Sequence, residues 1–180
     1  MKNVFLLWMT VFLMVPALGH SPVSRETLKR LFPEADNFVN RKKSLTPEQV
    51  LKVKKATGDK VQEVDKNLTG FVAVVKEPQT NKMKSIGAVL LVDAEGSTGT
   101  IDMAVAYNLD GSVKKVFITE NKDDKELESE GFLSQLEGRS PSDSWDLERD
   151  FQLVGNPASA QALIRAVHRG MHLFLAFTSR

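Results

Sequence analysis

Four runs rich in valine, isoleucine and leucine succeed one another in the middle of the chain, with only short turn-forming links between them. Thr69–Lys76 and Met83–Asp93 are separated by Glu77-Pro78-Gln79-Thr80-Asn81-Lys82, and Gly99–Tyr107 alternates through Ile101, Met103, Val105 and Tyr107. After Asn108-Leu109-Asp110-Gly111-Ser112 the chain returns through Val113, Val116 and Ile118. Branching at Cβ favours extended backbone, and links this short bring successive strands back alongside one another, with Asp110-Gly111 as the hairpin signal. With Phe38–Leu45 as an additional, exposed strand, the pattern predicts an antiparallel sheet of about four to five strands. No internal repeat or low-complexity tract interrupts it.

Such a sheet needs a cover, and the stretch suited to supply it is Phe151–Arg169, FQLVGNPASAQALIRAVHR. Asn156 suits an N-cap. Pro157 suits the first helical position, where a missing N–H costs nothing. Ala158, Ala162 and Ala166 with Leu163 and Val167 form a small-residue stripe, and the apolar tail Met171–Phe177 reads as buried core. Together these elements predict an α+β fold, with a C-terminal helix packed on the sheet and further helices near the N-terminus. A helix opened at Gly155-Asn156 presents free backbone N–H groups, and the absence of a side chain at Gly155 permits close approach, so the corner is a candidate seat for an anion such as a phosphate.

Toward the N-terminus, Met1–Gly19 carries a lysine at position 2 and an apolar run from Val4 to Leu18 of about 15 residues, short against the roughly 20 of a spanning helix. It reads as a secretory leader cut after Gly19, with an uncleaved membrane anchor as the alternative. Residues 20–60 form a helical segment. In it Ser24–Leu31 is a short amphipathic helix, Phe32-Pro33-Glu34-Ala35-Asp36 a turn, and Thr46-Pro47-Glu48-Gln49 the start of a helix that runs to Thr57 and stops at Gly58. Residues 61–180 form the main domain. Within it Phe132–Leu136 is a short helix ended by Gly138, and Arg139–Trp145 a loop.

Composition narrows the chemistry. A net charge of +1 gives no footprint for nucleic acid, although Thr119–Asp150 holds 11 acidic against 4 basic residues. The absence of cysteine excludes disulfides, thiolate metal sites, iron–sulfur clusters and cysteine-attached haem. His168 and His172 stand four apart, a spacing two metal ligands could share, but no Glu follows His168 and no third ligand is evident; they read as surface or partly buried histidines, and no metal is expected. Asp123-Asp124 reads as a solvated loop, and Trp145 as a packing residue. No catalytic residue is identified.

Several pieces, in this order, resemble one known family. The N-terminal FPEADNFVNRKKSLTPEQVLKVKKATG is similar to the segment of secreted FMN-binding-domain proteins in which a Phe-Pro-x-Ala-Asp turn precedes a Leu-Thr-Pro-Glu-Gln helix. The succession Leu109-Asp110-Gly111-Ser112-Val113 through Glu120, then Phe132-Leu133-Ser134-Gln135-Leu136-Glu137-Gly138-Arg139, resembles that family's hairpin, its strand-end glutamate and its Phe-x-x-x-Phe/Leu-x-Gly-Lys segment. Val154-Gly155-Asn156-Pro157 and Ser159-Ala160-Gln161-Ala162-Leu163 stand where members read Ser/Thr-Gly-Ala-Thr and Ser-Ser-Arg-Ala-Val. The family includes the G subunit of Rnf-type electron-transfer complexes and the C subunit of sodium-pumping NADH:quinone reductases. The resemblance spans roughly Leu31–Met171.

The family's flavin-bearing threonine corresponds to Pro157, which has no hydroxyl, so covalent attachment there is chemically excluded. Val154 replaces a Ser or Thr, and the loop after Glu120 lacks the usual glycines. The resemblance therefore implies non-covalent FMN, with its phosphate on the N–H groups from Gly155 to Ser159, Glu120 at the mouth of the site, and Leu136 and Leu153 as walls. The implied binding residues are Glu120, Gly155, Asn156, Ala158 and Ser159, with Ser159 a poor substitute attachment point because it faces a different direction on the helix. It further implies an electron-transfer role in the envelope, secreted, periplasmic or anchored through the N-terminal segment, beside a redox partner protein. The alternative is a degenerate domain that kept the fold, lost the cofactor and serves as a binding or structural module.

Overall fold

The computed structural model describes residues 23–58 and 61–179. Five antiparallel strands lie in the order in which they occur: β1 Asn37–Ser44, β2 Asn67–Lys76, β3 Met83–Glu95, β4 Thr100–Asn108 and β5 Val113–Asn121. The expected α+β architecture is thus present. Each strand pairs with its predecessor, as the short links require; β1 joins through the longer connection that contains α2 (Pro47–Thr57), with Asn37 opposite Val74 and Ser44 opposite Asn67. The segment 20–60 therefore contributes an edge strand to the same sheet as the domain that follows it.

The local signals act where the sequence places them. Ser24 caps α1 (Arg25–Leu31) by accepting from Thr27 N–H at 3.0 Å. Thr46 and Gln49 close a reciprocal capping box on α2, and Gly58 ends it. The short helix expected over Phe132–Leu136 starts two residues earlier, as α3 (Glu130–Leu133), and is continued by one 3-10 turn, Ser134–Leu136. The leader, residues 1–19, lies outside the described residues. Among the described residues no helix is long and apolar enough to cross a membrane.

α4 (Pro157–Thr178) lies across one face of the sheet and extends well past Arg169, because the apolar tail continues the same buried stripe. Leu163, Ile164, Val167, Met171 and Phe174 are fully buried against Leu90, Ile101, Met103, Val105 and Tyr107. Burying each large aliphatic or aromatic side chain contributes about 1.5–3 kcal/mol relative to exposure, so this face dominates the core. The helix approaches closely at Gly170. A Cβ there would stand 2.3 Å from the Tyr107 hydroxyl and 2.8 Å from Val92 Cγ2. Tyr107, itself fully buried, donates to the Val167 carbonyl at 3.2 Å and packs against Phe174 with ring centroids 5.3 Å apart.

One buried charge is carried along with this packing. Arg169, 6% exposed, pairs with Asp65, 4% exposed, at 3.1 Å, and also donates to the Asp93 carbonyl at 2.8 Å. Asp65 accepts in turn from Gln62 N–H at 2.9 Å. The pair ties the middle of α4 to the turn that leads into β2.

The opposite face of the sheet carries a smaller core. Leu28, Leu31, Phe32 and Ala35 cover Ala73, Val89, Ala104 and Ala106. This gives the Phe-Pro-x-Ala-Asp turn a structural task. Phe32 and Ala35 are buried, Glu34 pairs with Lys114 at 2.9 Å, and Asp36 accepts from Lys76 N–H at 2.7 Å while its own N–H donates to Val74.

Candidate functional site

At the mouth of α4, Gly155 sits in the left-handed region (φ 58°), which turns the chain so that Asn156 caps the helix. The Asn156 side-chain oxygen accepts from Ala158 N–H at 2.9 Å and Ser159 N–H at 3.4 Å. Gly155, Asn156, Pro157 and Ala158 are exposed, whereas Ser159 is fully buried. Four of the five residues expected at the site are thereby brought together. The capping residue itself satisfies two of the amides expected to hold a phosphate.

The N–H of the capping residue itself meets a carboxylate of the chain's own. Asn156 N–H donates to Asp124 Oδ2 at 2.6 Å, and the other oxygen of Asp124 accepts from Glu126 N–H at 2.9 Å. A Cβ on Gly155 would lie 2.2 Å from Asp124 Oδ2, so glycine is needed here both for its positive φ and to admit this carboxylate. A carboxylate at a helix N-terminus is stabilised by the same dipole and amides that would hold a phosphate.

Asp123 completes the arrangement from the other side. Its Oδ1 accepts from the Ser159 hydroxyl at 2.7 Å, and its Oδ2 accepts from Thr98 N–H at 2.8 Å and Gly99 N–H at 3.1 Å. Burial by itself would raise this carboxyl, but the hydrogen bonds from Thr98, Ser159 and Gly99 outweigh it and hold the pKa below the ordinary aspartate value. The Ser159 oxygen also accepts from Ser97 N–H at 3.0 Å, so its hydroxyl is buried and engaged. Asp123-Asp124 is therefore no free solvated loop, contrary to the sequence expectation: Asp123 binds the β3–β4 turn to the start of α4, and Asp124 binds the segment after β5 to it.

Glu120 is positioned differently. Strand alternation puts its neighbour Asn121 opposite Ile101 on the α4 side of the sheet, while Glu120 stands opposite Asp102 on the other face, paired with Lys122 at 3.2 Å. The residue that joins β5 to the corner is Asn121, 9% exposed, which donates to the Asp124 carbonyl at 2.9 Å and to Glu128 at 3.1 Å. Of the two expected walls, Leu136 is fully buried in the main core and Leu153 partly buried against it. As arranged, the corner does not fit a phosphate: two carboxylates occupy the approach to the helix, and a dianion there would meet like charge.

A second cluster lies along the outer side of α4. The Trp145 ring stacks on His168 at 4.7 Å and 13°, contacts Phe151 at 5.7 Å and donates through its indole N–H to the Ser140 carbonyl at 3.2 Å. Its packing role is as the sequence suggests. Arg139 holds the loop around it, donating to the carbonyls of Gln135, Ser144 and Asp150, with its guanidinium 4.1 Å from the Phe151 ring centroid. His168 and His172 meet through their Nε2 atoms at 3.3 Å.

Burial, with the adjacent His172 adding to it, brings His168 down to about 4, and burial also lowers His172. In the unfolded chain both rings titrate near 6.5. Above that value both states are neutral and stability is unaffected. As pH falls below it, the unfolded chain takes up protons first, so stability declines until the folded rings also titrate. Solvent reaches part of both rings, so the expected loss is about 1–2 kcal/mol between pH ~7 and ~4.5. Urea unfolding of the wild type beside His168→Gln/His172→Gln isolates it; parallel pH profiles for the two would refute the assignment.

No family model matches the chain, and no curated protein matches it either.

Proposed function

We propose that this chain is an extracytoplasmic domain built on the plan of the FMN-binding family that works without a flavin, as a binding or structural module. The observation that carries this reading is the Asp124 carboxylate on Asn156 N–H at 2.6 Å, with Asp123 bound to Ser159 beside it. Where the resemblance places a phosphate, the chain supplies its own anion, Asp124, on the N–H of the capping residue, while Asp123 ties Ser159 of α4 to the β3–β4 turn. Pro157 adds to the reading, since it removes both the hydroxyl that would carry flavin and one amide that would hold phosphate.

The test is a titration of the purified protein with FMN, read by flavin fluorescence and by visible absorbance before and after acid precipitation. The protein is expected to purify colourless and to leave the fluorescence of added FMN unchanged. Saturable quenching, or a yellow protein whose colour leaves with acid, would restore non-covalent FMN and the electron-transfer role beside a redox partner. Asp124→Ala serves as the internal comparison. It removes the occupying carboxylate, so binding gained only in this variant identifies Asp124 as what closes the seat.

A further inference from the structure

The histidine pair of α4 forms a chelating geometry that the chemistry of the corner does not use. His168 and His172 lie one helical turn apart, and their Nε2 atoms converge to 3.3 Å. Two imidazole nitrogens bound to one divalent transition ion at about 2.0–2.1 Å, with an angle between right and tetrahedral, stand about 2.9–3.4 Å apart. The separation of the two nitrogens is therefore already that of a chelate. The usual cost of a two-ligand site, ordering two free side chains, is already met by packing. His168 is clamped against Trp145 with the rings nearly parallel, and His172 lines a cavity of about 350 Å³ between α2 and the end of α4.

We infer that His168 and His172 bind a divalent transition cation of the imidazole-preferring class, Cu²⁺ foremost, through their two Nε2 atoms, with water completing the coordination. Copper ranks first because affinity at a nitrogen site rises to a maximum at Cu²⁺ and falls again at Zn²⁺. Proton accounting allows it without a co-reactant. In the metal-free pair one Nε2–H donates to the other Nε2; on binding, that ring moves its proton to Nδ1, both Nε2 lone pairs turn to the metal, and no net proton is released from neutral rings. Gln49, Lys52 and Ser179 also line the cavity beside His172. Among the described residues no group of three or more His, Asp or Glu side chains could hold a metal, so the site is an open two-histidine one.

Trp145 supplies the readout, because a Cu²⁺ ion bound to the ring it stacks on quenches its fluorescence. The chain has two tryptophans and three histidines, so the measurement uses the full chain with Trp8→Phe and His20→Ala, leaving one reporter and one histidine pair. Titration with CuCl₂ is expected to quench Trp145 saturably at one equivalent, with Ni²⁺ and Zn²⁺ binding more weakly. His168→Ala and His172→Ala should each weaken Cu²⁺ by tenfold or more. Electron paramagnetic resonance of the parent protein gives a measure independent of whether the variants fold, and should show an axial Cu²⁺ signal with two nitrogen couplings. Absence of saturable quenching, equal affinity in parent and variants, or a signal without nitrogen coupling would overturn the site.

Discussion

Replacing Asp65 by alanine is expected to remove about 3–5 kcal/mol of folding stability, because it leaves the guanidinium of Arg169 buried without its counter-charge. Both side chains are almost fully shielded from water, at 8% and 5% exposure, and Arg169 is rooted in the middle of α4, where it cannot swing out to solvent without lifting the helix. Its remaining bond, to the Asp93 carbonyl, supplies a dipole but no charge. In a domain of this size each kilocalorie shifts the melting temperature by about 2–4 °C, so the variant should melt roughly 6–20 °C below wild type. Replacing both partners together, Asp65→Leu with Arg169→Met, should recover most of the loss, since the penalty is that of a stranded charge and not of a missing attraction. A single variant costing less than about 1 kcal/mol would show that water reaches the pair.

The second large effect is expected at Gly170. Alanine in a helix interior ordinarily gains about 1 kcal/mol over glycine, so propensity alone predicts a more stable protein. Packing predicts the reverse. The added methyl would meet the Tyr107 hydroxyl at 2.3 Å and Val92 Cγ2 at 2.8 Å, and the Tyr107 ring is held in the core by its bond to Val167 and its contact with Phe174. Overpacking of this kind costs about 1–3 kcal/mol, and the net outcome of Gly170→Ala should be destabilising. Tyr107→Phe removes the nearest atom. Alone it should cost about 1 kcal/mol for the lost hydrogen bond, yet in combination it should relieve part of the clash. A double-mutant cycle by urea unfolding measures this coupling; a stabilised Gly170→Ala, or strict additivity, would mean that α4 does not approach the sheet as closely as described.

Much of the fold was legible because its determinants are local. The capping residues Ser24, Thr46 with Gln49, and Asn156 each act on amides two or three positions away, so spacing alone identifies them. The strands announce themselves by their Val, Ile and Leu content, and the short links from β2 to β5 leave no neighbour but the next strand. The Phe-Pro-x-Ala-Asp turn was legible as a turn. That Phe32 closes the second core and Asp36 caps β2 depends on contacts across some 40 positions, as in the bond from Lys76 to Asp36.

The site divides along the same line. Asn156 as a cap and Gly155 as a corner were evident; the occupant of the corner was not. Asp124 reaches Asn156 across 32 positions and Asp123 reaches Ser159 across 36, and in the sequence the two acids differ in nothing from the other acidic residues around them. A weak signal existed: an Asp-Asp pair a few residues beyond a strand whose neighbour is entered through Ser97-Thr98-Gly99, a turn with amides to satisfy. The histidine pair behaved likewise, since a four-residue spacing puts two rings on one helix face but does not decide whether their nitrogens converge.

By itself, then, the order of residues determined where the strands and the capped helices lie and that β2 to β5 must lie side by side, because propensity, capping and short links act over a few bonds. Only the tertiary structure decided that a carboxylate seals the mouth of α4, that Glu120 faces the other side of the sheet, and that His168 and His172 close to 3.3 Å over Trp145. Those outcomes depend on which distant groups the packing of α4 brings within hydrogen-bonding range, and electrostatic and hydrogen-bond energies fall off too steeply with distance for sequence spacing to encode them.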